Sequence, residues 1–361
     1  MLKVKHIRLT QFRNHLHREW SFNKPFVAIC GNNGVGKTTL LDALYCICHS
    51  KSYMSSQDSQ VVTYGKDGYR LDALLEKLNT DVEVVVVLRD RGKKELLLNG
   101  VKYDRIAQHI GQFPAVIITP DDIDIINGGS EQRRKWLDGL LGQTTSDYLQ
   151  HWIQYSKILS QRHAYLKTLN GHLPVDDTVF NILDQQLVLP GERIYQYRKQ
   201  AIQPLSEMLK SIYQHISKTN ELTRVHYHSK LEEHSFDDLL KKNRRIDVLT
   251  GRTNAGIHKD ELQFDIDDRP FKTHASQGQK KSLLFSLKLA AYEWIRQHKG
   301  FSPILLLDDV FEKLDELRMN QLIQWVTERP DSQVFITDTH PGRIQACFER
   351  FSIDGEIILL S

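Results

Sequence analysis

Cysteine is scarce in this sequence of 361 residues: Cys30, Cys46, Cys48 and Cys347 are the only four. They follow no metal-ligand spacing. Cys46 and Cys48 lie two apart in a helical stretch and face different directions, so they cannot share a ligand. A zinc module and a disulfide framework are both excluded, leaving buried apolar positions in a reducing compartment. Long apolar runs are missing too. None approaches the ~18 residues that a membrane-spanning helix needs, and the opening MLKVKHIRLTQF alternates like a strand and has no signal-peptide core. A cytoplasmic chain without a membrane partner is expected. Charge of one sign does not dominate either: the net charge is +3, which decides nothing about partners. There is no repeat, no low-complexity tract and no heptad run long enough for a coiled-coil arm.

Against these absences stands one dense stretch, GNNGVGKTT at residues 31–39. Gly31, Gly36, Lys37 and Thr38 fit the spacing G-x-x-x-x-G-K-[ST] of a phosphate loop. The glycines let the backbone fold so that successive N–H groups point inward at phosphate oxygens. Asn32, Asn33, Gly34, Val35 and Thr39 complete the cradle. Lys37 reaches for the β- and γ-phosphates, and the Thr38 hydroxyl holds Mg²⁺. PFVAIC before the loop reads as a buried strand and TTLLDALYCICH after it as a helix, whose positive N-terminus adds to the phosphate field. The chain is expected to bind ATP or a similar triphosphate.

The second half supplies matching parts. PILLLDDVFEKLD is an apolar strand ending in Asp308 and Asp309, with Asp315 at the end of the next turn. A carboxylate at the end of a strand beside the phosphate loop can hold Mg²⁺, and its neighbour can orient or deprotonate the attacking water. Upstream, residues 279–297 form an amphipathic helix with Leu283, Leu287, Ala290, Ala291 and Trp294 on or near one stripe. Ser276, Gln277, Gly278 and Gln279 approach its N-terminus, a second anion site. The first site encloses its own triphosphate, so the second suggests a γ-phosphate offered by another subunit; a plain helix cap is the alternative.

Strands are expected at 2–9, 26–30, 82–88, 115–119, 303–309 and 333–338 and near the end, with a hairpin at Asn99-Gly100. Between about 131 and 249 the pattern turns helical, broken at NGHLPVDD and TNELTRVHYHSK. We read residues 1–130 and 250–361 as two parts of one ATP-binding core, with residues 131–249 inserted as a helical lobe. Three basic clusters, Arg133-Arg134-Lys135, Lys241-Lys242-Arg244-Arg245 and Lys280-Lys281, are candidate contacts for DNA phosphates.

Taken together, the phosphate loop, the late SQGQ helix, LLLDD and the following KLD resemble an ABC-type ATPase head of the SMC class: an α/β P-loop fold with a helical insertion lobe. More narrowly, IRLTQFRNH, GNNGVGKTTLLDALYCICHSKSY, PAVIITPDDIDIINGGSEQRRKWLD, GIHKDELQF, ASQGQKKSLLFSLKLA, LLLDDVFEKLDELR and QVFITDTH resemble, in order, the RecF family of bacterial recombination-repair ATPases. The resemblance implies an ATP-dependent homodimer on double-stranded and gapped DNA. It implies slow, DNA-stimulated hydrolysis and work with RecO- and RecR-like partners at single-strand/duplex junctions, where RecA loading is promoted. By the same resemblance, Gly34, Gly36, Lys37, Thr38 and Thr39 hold phosphate and Mg²⁺, and Ser276 to Gln279 form a signature that reads the partner's γ-phosphate. Asp308 is then the Walker B carboxylate and Asp309 the water-orienting acid, one methylene shorter than the usual Glu and so suited to slow turnover. Asp315 is the D-loop acid and His340 the switch residue. Three positions depart from the family pattern. Met54 stands where Arg is usual, EKLD at 312–315 replaces the commoner SELD, and no Gln near 118–122 offers a Q-loop ligand. The rival readings are the ATPase subunit of a membrane transporter and another SMC-class repair ATPase.

Overall fold

The structure, a computed structural model, describes residues 1–90, 92–171, 177–312 and 314–361. Lys313 of the EKLD loop and residues 172–176 of the NGHLPVDD break therefore lie outside the described residues. The chain divides into two compact units. The first comprises Met1–Asp122, Ile212–Thr219 and Lys281–Ser361; the second comprises Ile123–Ser211 and Asn220–Lys280.

Among the described residues the first unit carries two sheets. Strands β1 (Leu2–Phe12), β2 (His15–Ser21), β4 (Tyr69–Lys77), β5 (Thr80–Arg89), β6 (Lys93–Leu98) and β7 (Val101–Lys102) form an antiparallel sheet in the order β2-β1-β4-β5-β6-β7. Strand β1 buries Leu2 and Val4, then Ile7 and Leu9. A bulge between Val4 and His6 absorbs the change of phase. Asn99 and Gly100 both take positive φ, 50° and 77°, as the hairpin turn between β6 and β7 demands. The second sheet is parallel throughout: β3 (Phe26–Cys30), β8 (Ala115–Ile118), β12 (Ile304–Leu307), β13 (Val334–Asp338) and β14 (Gly355–Leu359), ordered β14-β3-β13-β12-β8. All five residues of β3 are buried, as expected for a parallel strand covered on both faces.

The helix Lys37–His49 packs against β1, β4, β5, β8 and β13. Leu40, Leu41, Ala43, Leu44, Cys46, Ile47 and Cys48 are all buried in the same core as Ile7, Leu9, Val86, Ile117, Leu306 and Phe335. Apolar residues on several faces of one helix need cover on all of them. Burial pushes the Cys46 thiol up to about 12, so it is a packing group and not a nucleophile.

The second unit holds the helices Ser130–Thr144, Ser146–Thr168 and Phe236–Thr250 and most of Asp177–Ser217. It also holds a small antiparallel sheet, β11-β10-β9, made of β9 (Thr223–His228), β10 (Glu261–Ile266) and β11 (Arg269–Pro270). The stretch TNELTRVHYHSK, read as a break between helices, thus contains a strand. The compact unit also runs on to Lys280, past the boundary at 250, because β9 pairs with β10 residue for residue from His228–Glu261 to Thr223–Ile266.

Candidate nucleotide site

Strands β3, β13 and β12 run parallel and side by side, so their carboxyl ends share one edge of the sheet, where ligands of such sheets bind. Residues 31–36 leave β3 there and turn into the helix that starts at Lys37. Gly36 is its N-cap at φ 102°, a left-handed conformation. A Cβ at Gly36 would lie 2.4 Å from Nε2 of His15, so neither the backbone nor the space admits a side chain. The adjoining Asn14 amide donates to the Gly34 carbonyl at 3.3 Å. The stretch RNH thus braces the loop from outside. Lys37 is buried, and its ammonium donates to the carbonyls of Gly31 (2.8 Å) and Asn32 (3.1 Å) and to Asn33 Oδ1 (3.5 Å). It is held over the mouth of its own loop.

Asp308 follows β12 and is buried. The Thr38 hydroxyl donates to its Oδ1 at 3.1 Å, and Thr337, from the end of β13, donates to the same oxygen at 2.8 Å. Burial, with Asp309 next to it, raises the Asp308 carboxyl to about 6 against the pull of those hydroxyls. Asp309 sits at φ 47°, sparsely populated for a residue with a side chain. Its N–H donates to Thr337 Oγ1 at 2.9 Å, which fixes the turn. Thr337 is the residue that a motif search passes over. It looks like one more core position of QVFITD, yet it ties both acids to the strand next to the phosphate loop.

Asp315 caps the helix Glu316–Thr327 by accepting from Arg318 N–H at 3.0 Å, and Arg318 Nε donates to Ser282 at 2.7 Å. His340 stands just past β13 with its ring largely exposed. Its N–H is taken by the buried Asp338 at 2.7 Å. In the second unit, Ser276 and Gln279 form a reciprocal cap. The Ser276 hydroxyl accepts from Gln279 N–H at 3.2 Å, and Gln279 Oε1 accepts from Ser276 N–H at 2.7 Å. The Gln279 amide also donates to Glu221 at 2.7 Å.

The RecF/RecN/SMC N-terminal domain family matches residues 3–353. The DNA replication and repair protein RecF of Flavobacterium johnsoniae is 37% identical over 345 residues, covering 96% of each chain. The chain belongs to the RecF family. The RecF of Cytophaga hutchinsonii is 34% identical and covers 99% of this chain and 94% of its own. The solved structure of the recombination mediator protein RecF-ATP in the RecFOR pathway matches with a TM-score of 0.87 at 26% identity, over 94% of this chain and 92% of that one. An Smc head bound to the C-winged helix domain of ScpA shares the fold alone, with a TM-score of 0.58 at 15% identity over 99% of this chain and 93% of that one. The α/β ABC-type head read from the motifs is the fold found.

Within this RecF-family chain the basic clusters fare unevenly. Arg133 is buried; it donates to Glu261 and to the Gly128 carbonyl. Arg134 donates to the Asp260 carbonyl. Arg244 turns inward to Asp184 and Asn181. Lys135 and Lys241 are exposed and pair along their own helices with Glu131 and Asp237, and Lys242 and Arg245 are exposed. Ion pairs turn Arg133 and Arg244 inward, and a backbone carbonyl distant in sequence does the same for Arg134. One further residue supports the loop from behind. Asp42, fully buried on the phosphate-loop helix, accepts from Arg13 Nε (2.8 Å), Ser52 Oγ (2.7 Å) and Tyr53 N–H (2.7 Å). An aspartate inside an apolar helix, flanked by the stretches RN and SKSY, was the sequence signal for this knot.

Proposed function

We propose that this chain is an ATP-driven switch of recombinational repair and replication restart. It binds ATP with Mg²⁺, dimerises on ATP, holds duplex DNA and single-strand/duplex junctions, and hydrolyses ATP slowly under stimulation by DNA. With RecO- and RecR-like partners in the cytoplasm it promotes RecA loading at gaps. The observation that carries the reading is the meeting of Lys37, Thr38, Asp308, Asp309 and Thr337 at one edge of a parallel sheet. ATP-bound RecF relatives of the same fold support it.

Thr38 and Asp308 fit a hard cation, because both offer oxygen and they already stand 3.1 Å apart. Mg²⁺ there would neutralise phosphate charge. Burial raises the Asp308 carboxyl to about 6, so it is ionised and open to a cation at neutral pH. Lys37 exchanges its carbonyl partners for phosphate oxygens. Asp309, held by Thr337, orients water. Ser276 to Gln279 serve a γ-phosphate on a second copy of the chain, so that two ATP molecules are enclosed in an isologous interface. Loss of the γ-phosphate then loosens the dimer and its hold on DNA. His340 and Asp315 border that interface.

The test is Ser276→Arg, which sets a long side chain where the phosphate docks. It should still bind ATP as a monomer and fail to dimerise, with hydrolysis lost and DNA held more weakly. An ATP-dependent dimer like that of the parent in sedimentation refutes the trans arrangement. Asp309→Asn should bind ATP and accumulate the ATP-bound dimer; turnover at the parent rate refutes the role of Asp309.

A further inference from the structure

Lys288 lies on the helix Gln277–Lys299, about 14 Å beyond Gln279 at roughly 1.5 Å per residue. It is almost fully buried, in the first unit. An ammonium has three donors, and here three acceptors meet it: Asp122 Oδ1, the Tyr53 hydroxyl and the Ile117 carbonyl, each at 2.9 Å. Each partner is committed in turn. Asp122 Oδ1 also accepts from the Tyr53 hydroxyl, and its Oδ2 accepts from Thr119 N–H at 2.7 Å. The Tyr53 N–H donates to Asp42 on the phosphate-loop helix. One residue beyond Ile117, the Ile118 carbonyl accepts the N–H of Asp308 at 2.9 Å. Burial and the neighbouring Asp122 hold the Tyr53 hydroxyl far above its ordinary range, so it stays protonated and donating.

Three structural lines therefore end on one ammonium: the phosphate-loop helix through Tyr53 and Asp42, the strand that anchors Asp308, and the helix that begins at the signature. Asp122 is also the last residue of the first unit before the chain enters the second, and Lys288 lies just after the chain returns at Lys281. The junction fastens the outgoing and returning segments of the chain together. Nothing in the chemistry of hydrolysis needs a lysine here. A saturated, water-excluded ion pair is rigid and specific in a way that an apolar contact at the same place is not.

We propose that Lys288 is a positioning residue, which with Tyr53 and Asp122 couples the occupied phosphate loop to the signature helix. Movement of the phosphate-loop helix on binding ATP is passed through Asp42 and Tyr53 to Lys288, and along one continuous helix to Ser276–Gln279. The proposal rests on the reading of the chain as an ATP switch.

The experiment compares the parent with Lys288→Met and Tyr53→Phe, all in the Ser276→Arg background, which keeps the chain monomeric. A fluorescent ATP analogue measures binding, and amide hydrogen exchange of residues 276–285 with and without ATP measures coupling. Both variants should bind the analogue within about twofold of the parent. In the parent, ATP should change exchange at 276–285 at least tenfold. In Lys288→Met, which has no charge at this position, the change should vanish, and in Tyr53→Phe it should shrink. The same ATP-dependent change in Lys288→Met and in the parent overturns the proposal. So does a parallel loss of binding and coupling in both variants, the mark of a merely structural role. Should Lys288→Met not fold, Tyr53→Phe alone decides, since it keeps the Lys288–Asp122 pair. In the chain with Ser276 intact, failure to dimerise on ATP strikes the switch reading, whereas the exchange result judges this junction by itself.

Discussion

In the first unit the helix Lys37–His49 is packed among Leu, Ile, Val and Phe from two sheets. In the second, helices meet around guanidinium groups. Arg162, with no exposure, donates to Asp184 (2.9 Å), Asp247 (2.7 Å) and Thr253 (2.9 Å). Arg198, nearly as buried, donates to Asp138 (2.8 Å), the Ile257 carbonyl (2.8 Å) and Asp260 (3.3 Å). An apolar core gathers stability from area, at about 25 cal/mol per Å² buried, and tolerates substitutions that conserve volume. A buried ion pair adds little net stability over an apolar pair, yet it punishes the loss of one partner and specifies a single geometry. Around its central helix the first unit thus gathers stability mainly from area, whereas the joints of the second fix helix angles.

The largest expected effect tests this contrast directly. Arg162→Ala leaves Asp247 buried without its cation and Asp184 with Arg244 alone, and should destabilise the second unit by about 3–5 kcal/mol. Hydrogen exchange resolved by unit checks it, because a single global transition is not guaranteed in a chain of two units. A loss below about 1 kcal/mol would make the ionic joints decorative. Replacing Arg162, Asp184 and Asp247 together by apolar residues of similar volume should recover most of the stability and blur the helix positions.

Acid should next act on a buried histidine in each unit, since burial lowers His258 of the second unit to about 4 as it does His109 of the first. His109 is fully buried in the first unit; one ring nitrogen donates to the Ile47 carbonyl at 2.7 Å, and Nδ1 has no partner among the described residues. Burial lowers its pKa from 6.5 to about 4. Between these values the unfolded chain binds a proton that the folded chain refuses. The stability from this group is whole above pH 6.5 and is lost as pH falls toward 4, by about 3 kcal/mol. His109→Gln should flatten that limb of the stability–pH profile for the first unit and leave the second unit unchanged. An identical acid limb in the variant removes His109 from the account.

A smaller effect is local. Gly36→Ala forces a Cβ against His15 and into a left-handed backbone, for roughly 1–3 kcal/mol of strain. Equilibrium titration with ATP should show binding weakened about tenfold or more while the second unit keeps its protection. The smallest effect on stability belongs to Lys135, Lys242 and Arg245, each changed to Ala, at within about 0.5 kcal/mol. If they touch DNA, each lost phosphate contact should lower the log–log salt slope of duplex binding by roughly 0.9. An unchanged slope assigns these exposed cations to a protein partner.

What could be read in the sequence follows from how local its causes are. The strand, loop and helix at 26–49, the acids after β12 and the Asn99-Gly100 turn are written in neighbouring residues, and each stands as read. Strand β2, HLHREWS, buries only His15 and has no apolar alternation to announce it. Strand β9 owes its state to a partner more than thirty residues away. The arginines were the hardest to read. RRK and KKNRR look like solvated faces, and whether each cation turns inward depends on Glu261, Asp260 and Asp184, which no window of local sequence contains.

The parallel sheet has a consequence for synthesis. Strand β3, which carries the phosphate loop, has β13 on one side and β14 on the other, and Phe26 is in register with both Val334 and Gly355. On the ribosome, residues 26–30 emerge long before either neighbour, and pairing must wait for almost the whole chain. Until then FVAIC is an apolar segment with two open edges, a liability for pairing with other chains. A polypeptide stalled before residue 334 has its phosphate loop but neither of the strands that pair with β3. The loop at the edge of the parallel sheet is thus one of the last parts of the molecule to be braced, although it is among the first to be made.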